Sequence, residues 1–300
     1  MTVAARDEAA RDAATDSVTF AFGDPEADVY GVARLGLSHT PDGDRAGSAL
    51  ALLFAGRAPV AAVARGGIAV AAAAGWEAIE LDGVSAGTET PLSRWSVAFA
   101  GEADTGFALE FEAAGEPAEL TDGDPVARLG GIAGYEQPCR VRGTARTGGR
   151  ERRVACLGQR GHTWGDPDWD RIALARTVTA WTDAGPSAAL VAVRPARARH
   201  HADEAVWGAF WQAGGLLPLE ESRLSTTYDA DGRTRRAGLE LWPVREEGED
   251  AWPRRGAGEV VCGSSLDLGA LRLDCAFFRW HLEGRAGVGR YNILRPADAA

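Results

Sequence analysis

Residues 95–111 read WSVAFAGEADTGFALEF, and the fold class turns on how that run is read. Trp95, Val97 and Phe99 fall on one face of a chain with period two, and Phe107, Leu109 and Phe111 do so again after a break at Asp104 to Gly106. Alternation of this kind marks a half-buried strand, whereas a helix would repeat its apolar positions at three and four. Two such runs around a glycine turn predict a β-hairpin.

The pattern recurs along the chain. Ile172, Leu174, Arg176 and Val178 alternate before the turn TDAGP at 182–186, and Leu190 to Val193 resume the strand. LSTTYDADGRTRRAGLELW at 224–242 sets Asp231-Gly232 between two alternating runs, a strong short-range hairpin signal. Leu271, Leu273, Cys275 and Phe277 share a face, and Phe278, Trp280 and Leu282 continue one residue out of phase, which predicts a bulge near Phe277. Helix candidates are few: residues 1–16, and Ala202 to Trp211, which commits to neither period. Many short strands with little helix between them predict an all-β chain of antiparallel barrels or sandwiches. A boundary is expected between Gly130 and Gly149, where Gly-rich and Arg-rich segments interrupt the alternation.

The 300 residues suffice for two domains or one large β domain. Hydrophobic residues at 45% and charged residues at 25% fit a folded chain. Net charge is −11, with 32 basic residues, all of them Arg, so a phosphate backbone or a purely electrostatic hold on anionic lipid is disfavoured. Residues 1–16 lack the apolar core of a secretory signal and read as a flexible leader, and LALLFAG at 50–56 is too short to span a membrane. A cytoplasmic protein is expected. Cys139, Cys156, Cys262 and Cys275 form no CxxC or zinc pattern and read as free thiols. No metal or cofactor is expected: GRAGVGRY at 284–291 lacks the βαβ setting of a dinucleotide site, and P-loop, GxSxG and HExxH motifs are absent.

Chemistry concentrates in GQRGHTWGDPDWD at 158–170. A strand running from Val154 to Trp164 points Arg160, His162 and Trp164 to one face, with Gly161 and Thr163 on the other. Imidazole or a desolvated carboxylate moves protons, and indole faces stabilise a passing cation, so the set suits an apolar, electron-rich substrate. The spacing equally allows a packed corner, with Trp164 and Trp169 in the core, His162 on a backbone carbonyl and the aspartates capping a turn. His200 and His201 read as solvated loop residues, His39 as a turn partner and His281 as part of a polar strand face. The other tryptophans, Trp76, Trp95, Trp181, Trp207, Trp211, Trp242, Trp252 and Trp280, read mostly as core.

YEQPCRV at 135–141, GQRGHTWGDPDWDRI at 158–172 and GRAGVGRY at 284–291 together resemble the carotenoid 1,2-hydratase and AttH-like superfamily. The resemblance implies a double lipocalin: a lipocalin-like β domain over 17–138 and a second over 139–295 carrying the His-x-Trp motif, with an apolar ligand site at or between the barrel mouths. It implies a lipophilic small-molecule substrate, either hydrated at a double bond or closed into a ring, with His162 and Trp164 in the active site. The hydratase pattern also carries an acid in a Tyr-x-Asp element on the following strand. This chain departs there, since SAALVAV at 187–193 has neither residue, and Gly161 and Arg290 stand where the pattern is acidic. Asp166, Asp168, Asp170 and Glu136 are the candidate replacements. The expected catalytic set is His162, Trp164 and Asp168, with Arg160, Trp169, Asp166, Glu136 and Tyr135 at the substrate. The expected function is an enzyme that cyclises, isomerises or hydrates a terpenoid or polyketide-like polyene, and the alternative is a noncatalytic lipophile carrier.

Overall fold

The computed structural model describes residues 10–40, 42–183, 185–200, 203–213, 215–244 and 252–297. In chain order the first strands are β1 (Thr15–Asp24), β2 (Val29–His39), β3 (Arg45–Ala55), β4 (Ala58–Ala69), β5 (Ala78–Leu81), β6 (Val84–Thr90), β7 (Arg94–Ala100), β8 (Gly106–Ala113) and β9 (Ala118–Leu120). A short helix, α1 (Pro125–Gly130), separates these from β10 (Ile132–Thr147) and β11 (Arg150–Gly165). They form one sheet in the order β4, β3, β2, β1, β11, β10, β8, β7, β6, β5, with β9 on β10. The sheet curls until β2 and β3 approach β5 and β6, making a nearly closed antiparallel barrel.

The second sheet holds β12 (Ile172–Thr182), β13 (Ser187–Pro195), β14 (Ala205–Gln212), β15 (Gly215–Leu217), β16 (Leu219–Tyr228), β17 (Thr234–Pro243), β18 (Arg254–Asp267), β19 (Leu271–Leu282) and β20 (Arg285–Pro296). Its order is β15, β14, β13, β12, β20, β19, β18, β17, β16, and β14 approaches β16 to close the curl. The fold is therefore the all-β double lipocalin expected.

The chain divides into two units, one taking the residues up to Glu119 together with Ala133–Asp166, the other Leu120–Ile132 and Pro167 onward. This division differs from 17–138 and 139–295 for a simple reason. β10 and β11 hydrogen-bond to β8 and β1, so the motif strand completes the first barrel instead of opening the second. Thr15 and Asp16 likewise belong to β1 and not to a leader; residues 1–9 of that expectation lie outside the described residues.

Each barrel is filled by the inward half of its alternation. In the first, β7 and β8 set Trp95 against Phe111, Val97 against Leu109 and Phe99 against Phe107, all buried in one core with Val18, Phe20 and Phe22. Each such side chain contributes about 1.5–3 kcal/mol by leaving water. In the second, Val178 pairs with Leu190 and Leu224 with Leu239, and they share a core with Phe210, Phe278 and Tyr291.

Several local expectations shift. The bulge lies on β18, where Val260 faces Phe278 and Cys262 faces Phe277, leaving one extra residue between them, while β19 and β20 pair without interruption. The phase change in β19 instead reflects burial on both faces of that strand. Ala205–Gln212 is a strand, not a helix: Val206 and Phe210 pack into the barrel core while Trp207 packs with α1, which blurs the period. α1 was not foreseen, although Pro125 at its first turn and Gly131 at φ 63° after its end are its start and stop signals. Trp252 is 76% exposed instead of core. Among the described residues no helix is long and apolar enough to cross a membrane.

None of the four cysteines is joined in a disulfide; Cys139, Cys262 and Cys275 are buried and Cys156 is half-buried. Burial pushes the Cys139 and Cys275 thiols up to about 12, with nearby Arg160 and Arg290 respectively opposing the shift. Only the thiolate reacts. Near neutral pH a disulfide reagent should therefore modify Cys156 rapidly in the folded protein, and Cys139 and Cys275 only on unfolding, as peptide mass mapping of the labelled sites will show.

Candidate functional site

The site grows out of the pairing of β1 with β11. Asp16 faces Trp164 across the ladder, Val18 faces His162, Phe20 faces Arg160 and Phe22 faces Gly158. Val18, Phe20 and Phe22 fill the barrel core, so strand alternation turns Asp16, Arg160 and His162 inward as well.

His162 is 0% and Asp16 1% exposed. His162 Nε2 lies 2.7 Å from Asp16 Oδ1. The other carboxylate oxygen accepts the Trp76 indole N–H at 3.0 Å and the Arg11 backbone N–H at 2.7 Å. A carboxylate taken out of water is tolerated only with such donors, each hydrogen bond to a charged group contributing about 1.5–3 kcal/mol. The imidazole is boxed edge-on by Trp164 at 5.0 Å, Tyr135 at 5.7 Å and Trp76 at 6.0 Å between ring centroids. The Arg11 guanidinium stacks over Trp164 at 4.4 Å, and Ala10 packs on the same core, so the segment before β1 covers this end of the cluster.

Deeper along β11, Arg160 is enclosed by aromatic rings, 4.4 Å over Trp95, 5.2 Å from Tyr135 and 5.8 Å from Phe20, and it donates to the Tyr135 hydroxyl. Glu136 lies on the opposite face of the sheet, where it accepts from Gln159 Nε2 at 3.1 Å. A side chain at Gly161 would meet the Glu136 carboxylate at 2.8 Å. The space of the acidic residue expected before the histidine is thus filled by a carboxylate from the neighbouring strand.

Of the expected residues, then, Arg160, His162, Trp164 and Tyr135 come together, and Glu136 stands behind them. The others do not join. Asp166, Asp168 and Asp170 are exposed, and Asp168 accepts the Asp170 backbone N–H in a turn. Trp169 packs beside α1 in the second unit. Asp16, Trp76 and Arg11 were missed. Asp16 had a signal: it sits in phase with Val18, Phe20 and Phe22, a charge on the apolar face of a strand. Trp76, from the loop before β5, had none. Among the described residues no group of three His, Cys, Asp or Glu is placed to hold a metal. His39 forms an exposed pair with Asp12, and His281 is exposed on its strand. The His200 backbone is held by Asp203, and His201 lies outside the described residues.

Glycine lets β10 and β11 approach closely at the histidine. A Cβ on Gly134 would sit 2.3 Å from the His162 carbonyl oxygen, which is backbone and has no room to yield. Gly134→Ala should cost about 1–3 kcal/mol by overpacking, whereas Gly161→Ala, opposed only by the end of a flexible Glu side chain, should stay within about 1 kcal/mol. Urea denaturation of the two variants beside wild type checks the order.

This fold has solved relatives. A putative AttH protein (NE1406) from Nitrosomonas europaea superposes with a TM-score of 0.69 at 15% identity, covering 95% of this chain and 94% of that one. CghA, crystallised with Sch210972, gives 0.63 at 13% identity over 95% and 89%. Kievitone hydratase from Nectria haematococca gives 0.57 at 9% identity over 96% and 90%. At these identities the likeness is one of fold, and it agrees with the AttH-like resemblance of the motifs. No curated protein matches the sequence significantly. A family model does match over residues 4–297, and the chain belongs to that family, described as a domain of unknown function, DUF7064.

Proposed function

We propose that the protein is an enzyme that cyclises or isomerises an apolar, polyene-like small molecule, with the Asp16–His162 pair as its proton-exchanging group. The observation that carries this reading is the pair itself: a fully buried imidazole held by a fully buried carboxylate inside an aromatic box. Asp16 fixes the Nε2 proton and stabilises the imidazolium, so exchange with a substrate falls to Nδ1. The neutral ring takes a proton there; the charged ring donates a hydrogen bond from there to an activating carbonyl.

Hydration by alkene protonation is less well supported. It passes through a carbocation, and two guanidinium groups already occupy the nearby aromatic faces, Arg11 on Trp164 and Arg160 on Trp95. A cation arriving beside them meets repulsion where a hydratase needs attraction. A neutral pericyclic or enolising step meets no such penalty. Among the structural relatives, the name of one is a hydratase and another was crystallised with Sch210972, which supports a ligand-holding barrel without choosing its reaction. The carrier reading draws on the complete enclosure of His162, which requires Arg11 and the segment before β1 to move before anything reaches the ring.

The test is a lipophilic extract of the source organism incubated with wild type, His162→Ala and Asp16→Asn, followed by mass spectrometry. The expected product keeps its precursor's mass and shifts in retention, and each variant lowers its formation at least about 100-fold. A product heavier by one water makes the enzyme a hydratase. If nothing turns over and one compound co-purifies with all three proteins, catalysis is abandoned in favour of carriage.

A further inference from the structure

His162 lies three residues below the end of the β1–β11 ladder at Thr15 and Gly165, roughly 10 Å inside the mouth of the first barrel. Two stretches of the same unit cover that end, and both donate to one atom, Asp16 Oδ2. Residues 10–14 do so through the Arg11 backbone N–H, and residues 70–77, the loop between β4 and β5, through the Trp76 indole. Ala10, Val70 and Ala74 pack on the barrel core beneath them.

The two covers are fastened differently. Arg45 on β3 donates to the Ala72 and Ala74 carbonyls of the loop at 3.4 and 3.0 Å, and Thr88 on β6 donates to the Trp76 carbonyl at 3.0 Å. Trp76 itself is 2% exposed, so lifting the loop would bring an indole of about 150–250 Å² into water. Residues 10–14 lay lighter pieces on the site. The chain bends at residues 12–14 before β1 begins at Thr15, with Asp12 exposed and the Ala14 carbonyl accepting the His39 backbone N–H at 3.2 Å. Beyond that bend the site is covered by an alanine and by the Arg11 guanidinium, 4.4 Å over the half-buried Trp164 ring. A guanidinium that swings outward regains its hydration and an alanine exposes little surface, so this cover opens at the lower cost.

We propose that residues 10–14 are a strap that gates His162: it bends at residues 12–14, its latch is Arg11 on Trp164, and the Trp76 loop stays in place as a fixed wall when it lifts. Closed, the strap shuts the imidazole off from anything outside the barrel. Lifted, it uncovers Asp16 Oδ2 and the outer face of Trp164 together, which opens the aromatic box at the ring an apolar ligand would stack on. This gate presupposes the role proposed above for His162, but access to the ring is measured without any substrate, so failure of the chemistry and failure of the gate are told apart.

Diethyl pyrocarbonate acylates an accessible imidazole, and peptide mass mapping gives a separate rate for each histidine, with the exposed His281 as internal standard. In wild type, His162 should react at least about 100-fold more slowly than His281, as for a site reached only through a minor open state. Arg11→Ala keeps the backbone N–H on Asp16 and removes the stack on Trp164; it should speed His162 about tenfold, the weight of one cation–π contact, and leave His281 unchanged. Arg11→Lys should fall between, since an ammonium keeps the charge without the planar stack. Arg45→Ala, which unpins the loop, should leave the His162 rate at the wild-type value. The Cys139 thiol, buried in the same core, should stay unreactive throughout, which separates lifting of the strap from unfolding of the barrel. The proposal is overturned if His162 matches His281 in wild type, if Arg11→Ala leaves its rate unchanged or does not fold, if Cys139 becomes reactive along with it, or if Arg45→Ala speeds it as much as Arg11→Ala.

Discussion

Everything at the candidate site depends on the antiparallel ladder between β1 and β11. Its register runs unbroken from Thr15 opposite Gly165 to Gly23 opposite Leu157. A slip of one residue would turn Val18, Phe20 and Phe22 out of the core, so the apolar residues hold the register firmly. The polar residues are carried by that choice. Once Val18, Phe20 and Phe22 face inward, Asp16 must as well, and it then meets an imidazole that lies 146 positions away in sequence.

Holding a carboxylate in that interior is costly, and the surroundings show how the cost is offset. Asp16 receives donors from three different places: β11 through His162, the loop before β5 through Trp76, and the chain before β1 through Arg11. Taking away any one of them would strand part of a buried charge, which is far more damaging than never having had the charge. The loop and the N-terminal segment are therefore tied to the strand pair, and the polar cluster orders chain that the apolar core alone would leave loose. In the second barrel Arg176, Glu204, Thr226 and Tyr291 form a closed set of the same kind.

Strand positions were legible in the sequence because alternation survives wherever one face is wet, as in β7, β8, β16 and β17. It failed where both faces are buried. β14 touches the barrel core with Phe210 and α1 with Trp207, and β19 buries Phe277 and Phe278 in succession; neither keeps a clean period. The unit boundary was not legible because β10 and β11 return to the first sheet after α1, a long-range pairing that no local pattern records. At the site, Arg160, His162, Trp164 and Tyr135 could be read because they lie on two strands close in sequence. Asp16 could not be matched to His162 without the fold. The aspartates at 166, 168 and 170 misled, since nearness in sequence placed them beside the histidine while the turn after Gly165 carries them to the surface.

Two carboxylates flank β11, and they are not equivalent. Glu136 fills the space beside Gly161 and Asp16 reaches His162, but the sheet itself lies between them. Successive side chains of a strand point to opposite faces, so Glu136, next to Gly161, is turned away from the imidazole that the adjacent residue carries. A proton cannot pass from Glu136 to His162 through the plane of a hydrogen-bonded ladder. Glu136 is left to position β10 against β11 through Gln159, while Asp16, on the same face as the ring and within hydrogen-bond reach, is the carboxylate able to set its tautomer and its charge.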